Sequence, residues 1–365
     1  MTATALRPTD LRSVQDAVLD TTGPLAVAGT GTAAGWGGTL GPVDAELDTT
    51  GLTGVITHNP GDMTVAVRAG TPLRELAAEL APHGQYVAFD AARVADGATV
   101  GGLFATADAG PAALVHGSLR DLVIGVTVVL ADGTVARSGG HVIKNVAGYD
   151  LAKLLHGSYG TLGVVAEVVL RLHPVPKASA TLVVDRPLAE AAELAGLVLG
   201  GPYEPAALEW TSAGRLLLRV AGTERALPAR VERLRELVGG TEADPWADPW
   251  AEHAALVRGD GTQAVLRIGV RPSRLPGVLA ELPAVAVTAG LGTGVATVAL
   301  DPAAVAGAHA LVHAAGGTSA LRSRPAAAVA PAWGPAPPAV GVLRAVKAEL
   351  DPKGRFGPGR FDPWM

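Results

Sequence analysis

The sequence predicts an α+β chain of two parts, a glycine-rich amino-terminal domain and a second domain of mainly antiparallel sheet. Three observations carry this. Short apolar strands alternate with glycine-dense loops as far as about residue 176. From about Ala180 to Arg322 those loops thin out, and the order strand, helix, strand, strand, helix occurs twice, which is the pattern of an antiparallel α+β layer. At 365 residues, 48% hydrophobic with 47 glycines, the chain can bury two cores. Aromatic residues make up only 4%, so Ala, Val and Leu must fill them.

Composition also excludes classes of function. The 29 basic and 34 acidic residues give a net charge of −5 without long runs of either sign, so nucleic acid is not an expected partner. There is no cysteine, which excludes a structural disulfide, a catalytic thiol and a cysteine-ligated iron–sulfur cluster in this chain. The opening MTATALRPTDLRSVQDAVL lacks a basic start followed by an apolar core, and no apolar run reaches spanning length. The expectation is a soluble protein with no direct membrane insertion.

Taken in order, Leu11, Val14, Val18 and Leu19 share a helical face before Gly23-Pro24. Leu25 to Ala28 is a buried strand that runs into Gly29-Thr30-Gly31-Thr32-Ala33-Ala34-Gly35-Trp36-Gly37-Gly38. A Rossmann unit would need a helix to start among these glycines. Gly35, Gly37, Gly38, Gly41 and Pro42 stand where that helix would run, so the Rossmann reading fails. A loop that stays a loop can still offer amides to a pyrophosphate. Strands at 54–58 and 64–67 flank a turn at Asn59 to Asp62, and Thr71-Pro72 opens a helix as N-cap and first residue. His58 and His83 read as surface or loop histidines, with no second ligand at metal spacing.

Gly97 to Ala107 is a second glycine-dense loop, which by pattern alone is either a turn before an apolar helix or a ligand loop. His116-Gly117-Ser118-Leu119-Arg120-Asp121 precedes a strand from Leu122 to Leu130, a type I′ turn at Asp132-Gly133 and a return strand from Thr134 to Arg137. Next, Asp150 caps a short helix with Leu151, Leu154 and Leu155 on one face; Gly157, Gly160 and Gly163 punctuate a loop; and Val164 to Leu172 alternate as a strand. These glycines either cap and turn, or bring N–H groups and the Ser158 and Thr161 hydroxyls to a ligand.

Beyond Pro176, strands at 180–184, 206–210 and 215–220 with helices at 187–199 and 224–238 make one β-α-β-β-α unit. A second covers 264–270, 272–282, 284–288, 294–300 and 302–315. Between them, Asp244-Pro245-Trp246-Ala247-Asp248-Pro249-Trp250 is either a docking loop or a surface loop anchored by its tryptophans. His309 and His313 read as helix-surface residues. A Pro/Ala stretch then leads to a last helix marked by Val342, Val346 and Leu350, stopped at Asp351-Pro352.

HVIKNVAGYDLAKLLHGSYGTLGVVAEV resembles the corresponding segment of glycolate oxidase FAD-binding subunits, within the p-cresol methylhydroxylase-type flavoprotein superfamily. GS-x-GTLG is common to the superfamily and KNVAGYDL is narrower. GTGTAAGWGG, TVGG, GSLRD and LDPKGRFGPGRF resemble further segments in family order, with departures at Thr30, Ala107 and Gly357. The resemblance implies a p-cresol methylhydroxylase-type FAD-binding domain of two α+β subdomains at 1–176. It also implies an α+β cap at 177–325, a Pro/Ala linker at 326–338 and a segment returning to the flavin domain at 339–365. FAD would be bound by Gly29, Thr30, Gly31, Thr32, Thr99, Val100, Gly101, Gly102, Ala105, Thr106, Gly117, Ser118, Asp121, Gly160, Thr161, Gly163 and Val164. The attachment residues common in the superfamily are a histidine in the first loop or a cysteine; both are missing, so FAD should be non-covalent.

The same resemblance implies a flavin subunit of a complex oxidising a small 2-hydroxy acid. Its partners would be a second, catalytic flavoprotein and an iron–sulfur subunit. Its place would be cytoplasmic, reaching the inner face of a membrane only through them. Catalytic relatives carry a His-x-Gly-Asp-Gly-Asn motif in the cap that this chain lacks. No catalytic base and no metal ligand set can therefore be named. A free-standing oxidase or dehydrogenase of a small hydroxy acid or alcohol, and a non-catalytic flavin-fold scaffold, are the alternatives.

Overall fold

Alternating apolar residues place strands in three main sheets, divided between two units. The computed structural model describes residues 3–142, 148–244 and 248–365. One unit comprises 1–109, 116–175 and 336–365, the other 110–115 and 176–335.

In the first unit, β1 (Thr4–Leu6), β2 (Leu25–Ala28) and β3 (Ala45–Asp48) form a parallel sheet in the order β1-β3-β2. Helix Leu11–Asp20 starts with a capping box in which the Asp10 carboxylate accepts from the Ser13 N–H at 2.7 Å. It buries Val14 and Val18 against Leu25, Leu47 and Phe356, while Leu19, expected on the same face, stays half exposed.

Then come β4 (Val55–Asn59), β5 (Thr64–Arg68), β6 (Gln85–Tyr86), β7 (Val123–Val129), β8 (Val135–Gly139), β9 (Val164–Arg171) and β10 (His173–Pro174). Five of them make an antiparallel sheet in the order β4-β5-β9-β7-β8, and β6 pairs with β10. Strand β9 is central, and Val164, Ala166, Val168 and Leu170 are buried along it.

Local chemistry overrides the sequence reading at four places. Pro72 itself is the cap residue of helix Leu73–Leu80, because the Thr71 hydroxyl instead accepts the Gly54 N–H at 2.9 Å. Residues 119–122 form one helical turn capped by Ser118, so the strand begins at Val123 and not at Leu122. At Asp132-Gly133 only Gly133 has positive φ (+81°). Its N–H donates to the Leu130 carbonyl at 2.9 Å, so the hairpin closes on a type I turn with a left-handed glycine, not on type I′. Helix Leu151–Leu155 buries Ala152 and Leu155 and leaves Leu154 at the surface.

The second unit is one antiparallel sheet of β11 (Ala178–Asp185), β12 (Ala207–Thr211), β13 (Arg215–Gly222), β14 (Thr241–Glu242), β15 (Ala264–Gly269), β16 (Ala284–Gly290), β17 (Val295–Leu300) and β18 (Thr318–Ser323). Their order is β14-β11-β13-β12-β16-β17-β15-β18. The two β-α-β-β-α halves meet where Thr211 of β12 pairs with Thr288 of β16. Leu182, Leu218, Leu266 and Val298 pack against helices Leu188–Gly200, Leu227–Val238, Leu275–Glu281 and Val305–Ala314 in one core. Of the Asp-Pro-Trp repeat, residues 245–247 lie outside the described residues. Asp248 caps helix Pro249–Arg258, and Trp250 is anchored, its indole N–H donating to the Thr181 hydroxyl at 2.9 Å. Among the described residues no helix is long and apolar enough to cross a membrane.

Candidate cofactor site

Strand β2 ends at Ala28 and delivers the loop 29–38 to the edge of the first unit's parallel sheet. Helix Val100–Ala105 and the turn 157–163 come to the same place. They enclose a cavity of about 450 Å³, within the roughly 300–1,000 Å³ of small-molecule sites. Gly29, Thr30, Gly31 and Thr32 line it from the first loop, and Thr99, Gly101, Gly102, Ala105 and Thr106 from the second segment. Gly160 and Gly163 line it from the third, and Val27, Ala69 and Val165 add apolar walls.

Gly101 and Gly160 show why glycine stands in these segments. Gly101 donates its N–H to the Ala69 carbonyl at 2.7 Å, and a Cβ there would lie 2.9 Å from the Ala69 methyl. Gly160 has φ +72°, where side chains are strained, and a Cβ would sit 3.3 Å from that of Val27. The second segment is not a loop throughout: the Thr99 hydroxyl accepts the Gly102 N–H at 3.1 Å and caps the six-residue helix Val100–Ala105.

The remaining sequence candidates lie outside the cavity wall. Val100 and Val164 are fully buried in the cores behind it. The Thr161 hydroxyl is turned to the Ser158 carbonyl at 2.7 Å. Gly117, Ser118 and Asp121 belong to the capped turn, where the Asp121 carboxylate accepts the Ser118 N–H at 2.9 Å. Lys144, Asn145, Val146 and Ala147 of the KNVAGYDL motif lie outside the described residues.

Several lining residues carried no local signal. Arg93, 3% exposed, donates to Asp108 at 2.9 Å, to the Thr106 hydroxyl at 2.7 Å and to the Thr32 hydroxyl at 3.1 Å. Its guanidinium also lies 3.9 Å over the Trp36 ring. One side chain thus ties the first loop to the second. Tyr159 sits at φ +53° and donates its N–H to the Ala105 carbonyl at 2.8 Å. Arg360, from the carboxy-terminal segment, donates to the carbonyls of Ala34, Trp36 and Gly38 at 3.0, 3.2 and 3.2 Å. Nearby, the Lys347 ammonium donates to the Thr161 carbonyl at 2.7 Å and to Asp351 at 2.6 Å. Nothing in the sequence of the closing segment points to Arg360 reaching the cavity.

The histidines divide by burial. His116 and His173 face each other with ring centroids 4.5 Å apart, and burial pulls both below the ordinary histidine range. In the second unit His313 is exposed, as expected of a helix-surface residue, but His309 is buried. Its ring nitrogens meet the Ser319 hydroxyl at 2.6 Å and the Pro331 carbonyl at 3.1 Å, and burial lowers its pKa. His253 is also buried, 3.3 Å from the buried Glu209 carboxylate. Among the described residues no three His, Cys, Asp or Glu side chains are grouped to hold a metal.

Residues 3–139 match the family model for an FAD binding domain. The chain is 36% identical over 234 residues to glycolate oxidase subunit GlcE of Escherichia coli, a match covering 64% of each chain. It is 40% identical over 121 residues to glycolate oxidase subunit GlcD of Bacillus subtilis, covering 33% of this chain and 26% of that one. It is 39% identical over 135 residues to a mitochondrial D-lactate dehydrogenase (cytochrome) of Arabidopsis thaliana, covering 37% and 23%. The chain thus spans less than two thirds of the length of these relatives. Among solved structures, alkyldihydroxyacetonephosphate synthase shares the fold with a TM-score of 0.69 at 16% identity, over 97% of this chain and 75% of that one.

Proposed function

With residues 3–139 an FAD-binding domain in a p-cresol methylhydroxylase-type α+β fold, we propose that this chain is the FAD-binding redox subunit of a 2-hydroxyacid-oxidising complex of the glycolate oxidase kind. One observation carries the reading: three glycine-bearing segments, far apart in sequence, line one cavity. The residues present fit the cofactor. Gly101 and Gly160 bring the main chain so close to Ala69 and Val27 that a Cβ would crowd them, while the place of a Cβ at Gly31 is open, and Gly29 to Thr32 are a loop whose amides suit a diphosphate. FAD, when bound, supplies two-electron redox chemistry. The chain's residues bind and orient it. Thr99, Gly101, Gly102, Ala105 and Thr106 wall the cavity on one side and Gly160 and Gly163 on another. Val100, Thr161 and Val164 support these from behind, and Gly117, Ser118 and Asp121 fix the turn that follows. Attachment is non-covalent.

The division of labour is a flavin domain at 1–176, joined by the returning segment at 339–365, and a cap at 177–325 connected through the linker at 326–338. The partners are a second, catalytic flavoprotein and an iron–sulfur subunit, since this chain has no cysteine to hold a cluster and no histidine motif of the catalytic kind. Such a chain is cytoplasmic and peripheral at the inner face of a membrane through those partners. The test is anaerobic mixing of the isolated holoprotein with glycolate or D-lactate while flavin absorbance is followed. No bleaching alone, with activity on adding the two partner subunits, is the expected outcome.

A further inference from the structure

We propose that Arg360 is the cation that meets the cofactor's diphosphate, which makes the carboxy-terminal segment part of the cofactor site and not only its support. The inference rests on the FAD-binding reading and extends it to a residue in the last turn of the chain.

Arg360 lines the same cavity as Gly29, Thr30, Gly31 and Thr32. It arrives on a tight turn, with Gly357 and Gly359 at φ +54° and +80°. The main chain there is locked to the first loop: Gly38 donates to the Arg360 carbonyl at 3.0 Å and Gly41 to the Pro358 carbonyl at 2.8 Å. The side chain is fixed as well, because its Nη1 takes the carbonyls of Ala34, Trp36 and Gly38. A guanidinium held in place this way loses little further freedom on meeting an anion, and its planar fork matches phosphate oxygens.

The other ionisable side chains on the cavity wall do different work. Arg93 is committed to Asp108 in a buried ion pair. Glu46 is exposed at the rim, on β3. Tyr159 shares the neighbourhood of Arg360 and leans its ring edge on Phe361, centroids 5.6 Å apart. Burial pulls Arg360 below the ordinary arginine range. An anion in the cavity offsets such desolvation.

The experiment measures FAD binding to the apoprotein by flavin fluorescence, for the wild type, Arg360→Met and Arg360→Lys, with inorganic diphosphate as competitor. Arg360→Met should weaken FAD by about tenfold or more, the scale of a charge-assisted hydrogen bond, and should lose competition by diphosphate. Arg360→Lys keeps the charge and should keep that competition with intermediate affinity. Wild-type affinity and undiminished competition in a folded Arg360→Met would overturn the proposal. Should Arg360→Met fail to fold by circular dichroism, the lysine variant decides: retained competition supports the proposal, and lost competition in a folded protein overturns it. A wild-type apoprotein that takes up no FAD would remove the reading beneath it, a result distinct from any difference between variants.

Discussion

Arg93 and Asp108 form a buried ion pair at 2.9 Å, with side chains 4% and 3% exposed. The same guanidinium covers Trp36 and donates to two threonines on different cavity segments. It therefore stands at the junction of the first two glycine segments, where a salt bridge is costly to break from one side. Arg93→Met leaves the Asp108 carboxylate buried without its cation and should cost about 3–5 kcal/mol. The double variant Arg93→Met/Asp108→Asn should recover part of this. Urea unfolding of the two single variants and the double one checks the coupling; equal losses in the double and the singles' sum would show none.

Gly101→Val and Gly160→Val should strip FAD while the chain stays folded. The first collides with Ala69 and the second is strained at positive φ. Loss of a ligand present at a hundredfold excess over Kd lowers apparent stability by about 2.7 kcal/mol. The flavin-to-protein absorbance ratio, with thermal midpoints measured with and without added FAD, reads both effects. Full occupancy in either variant would reduce that glycine to a turn former.

Acid or heat precipitation of the holoprotein should leave FAD in the supernatant, because neither a first-loop histidine nor any cysteine is present. Fluorescence retained in the washed precipitate would indicate a covalent bond to some other side chain.

Stability should fall with acid below neutrality, and His309 should supply part of the slope. Its folded pKa lies below the ordinary histidine value of 6.5 through burial. The unfolded chain therefore takes up a proton first, and stability present above about 6.5 is lost as pH drops from that value through the lower folded pKa. His116 and His173 act in the same direction, also through burial. Unfolding free energies at neutral pH and near pH 5 should differ less in His309→Gln than in the wild type.

What could be seen in the sequence is what is decided locally. Gly160 and Gly101 announce themselves because backbone conformation and close approach permit nothing larger, and β9 because Val164, Ala166, Val168 and Leu170 alternate. Arg93 was invisible for the opposite reason. Its partners Thr32, Trp36, Thr106 and Asp108 lie on separate stretches of chain, so nothing in its own neighbourhood hints at burial. His309 likewise reads as surface until Ser319 and Pro331 close around it. The Asp132-Gly133 turn shows a finer limit: the dipeptide favours two left-handed residues, while the hairpin's own pairing requires one.

Arg355 links positions at opposite ends of the sequence. Its guanidinium donates to the main-chain carbonyls of Ala131 at 2.7 Å and Val18 at 2.9 Å, and also to that of Thr21. Its own carbonyl accepts the Leu25 N–H at 2.8 Å. Arg355→Met strands several carbonyls at once and should cost roughly 3 kcal/mol or more, seen as a lower urea midpoint at unchanged slope.

Strand β2 is synthesised long before the residues that flank and pin it, at 355–357. Residues 176–335, a separate unit, are synthesised in between. The nascent first unit must keep the edge of β2 unpaired while more than three hundred residues are added, and contacts of such long sequence separation form slowly. During that interval the loop after β2 lacks the Arg360 turn that holds it. Closure of the loop after β2 is therefore a late event in folding, and a chain stalled before Arg360 should take up FAD poorly however well its earlier parts have folded.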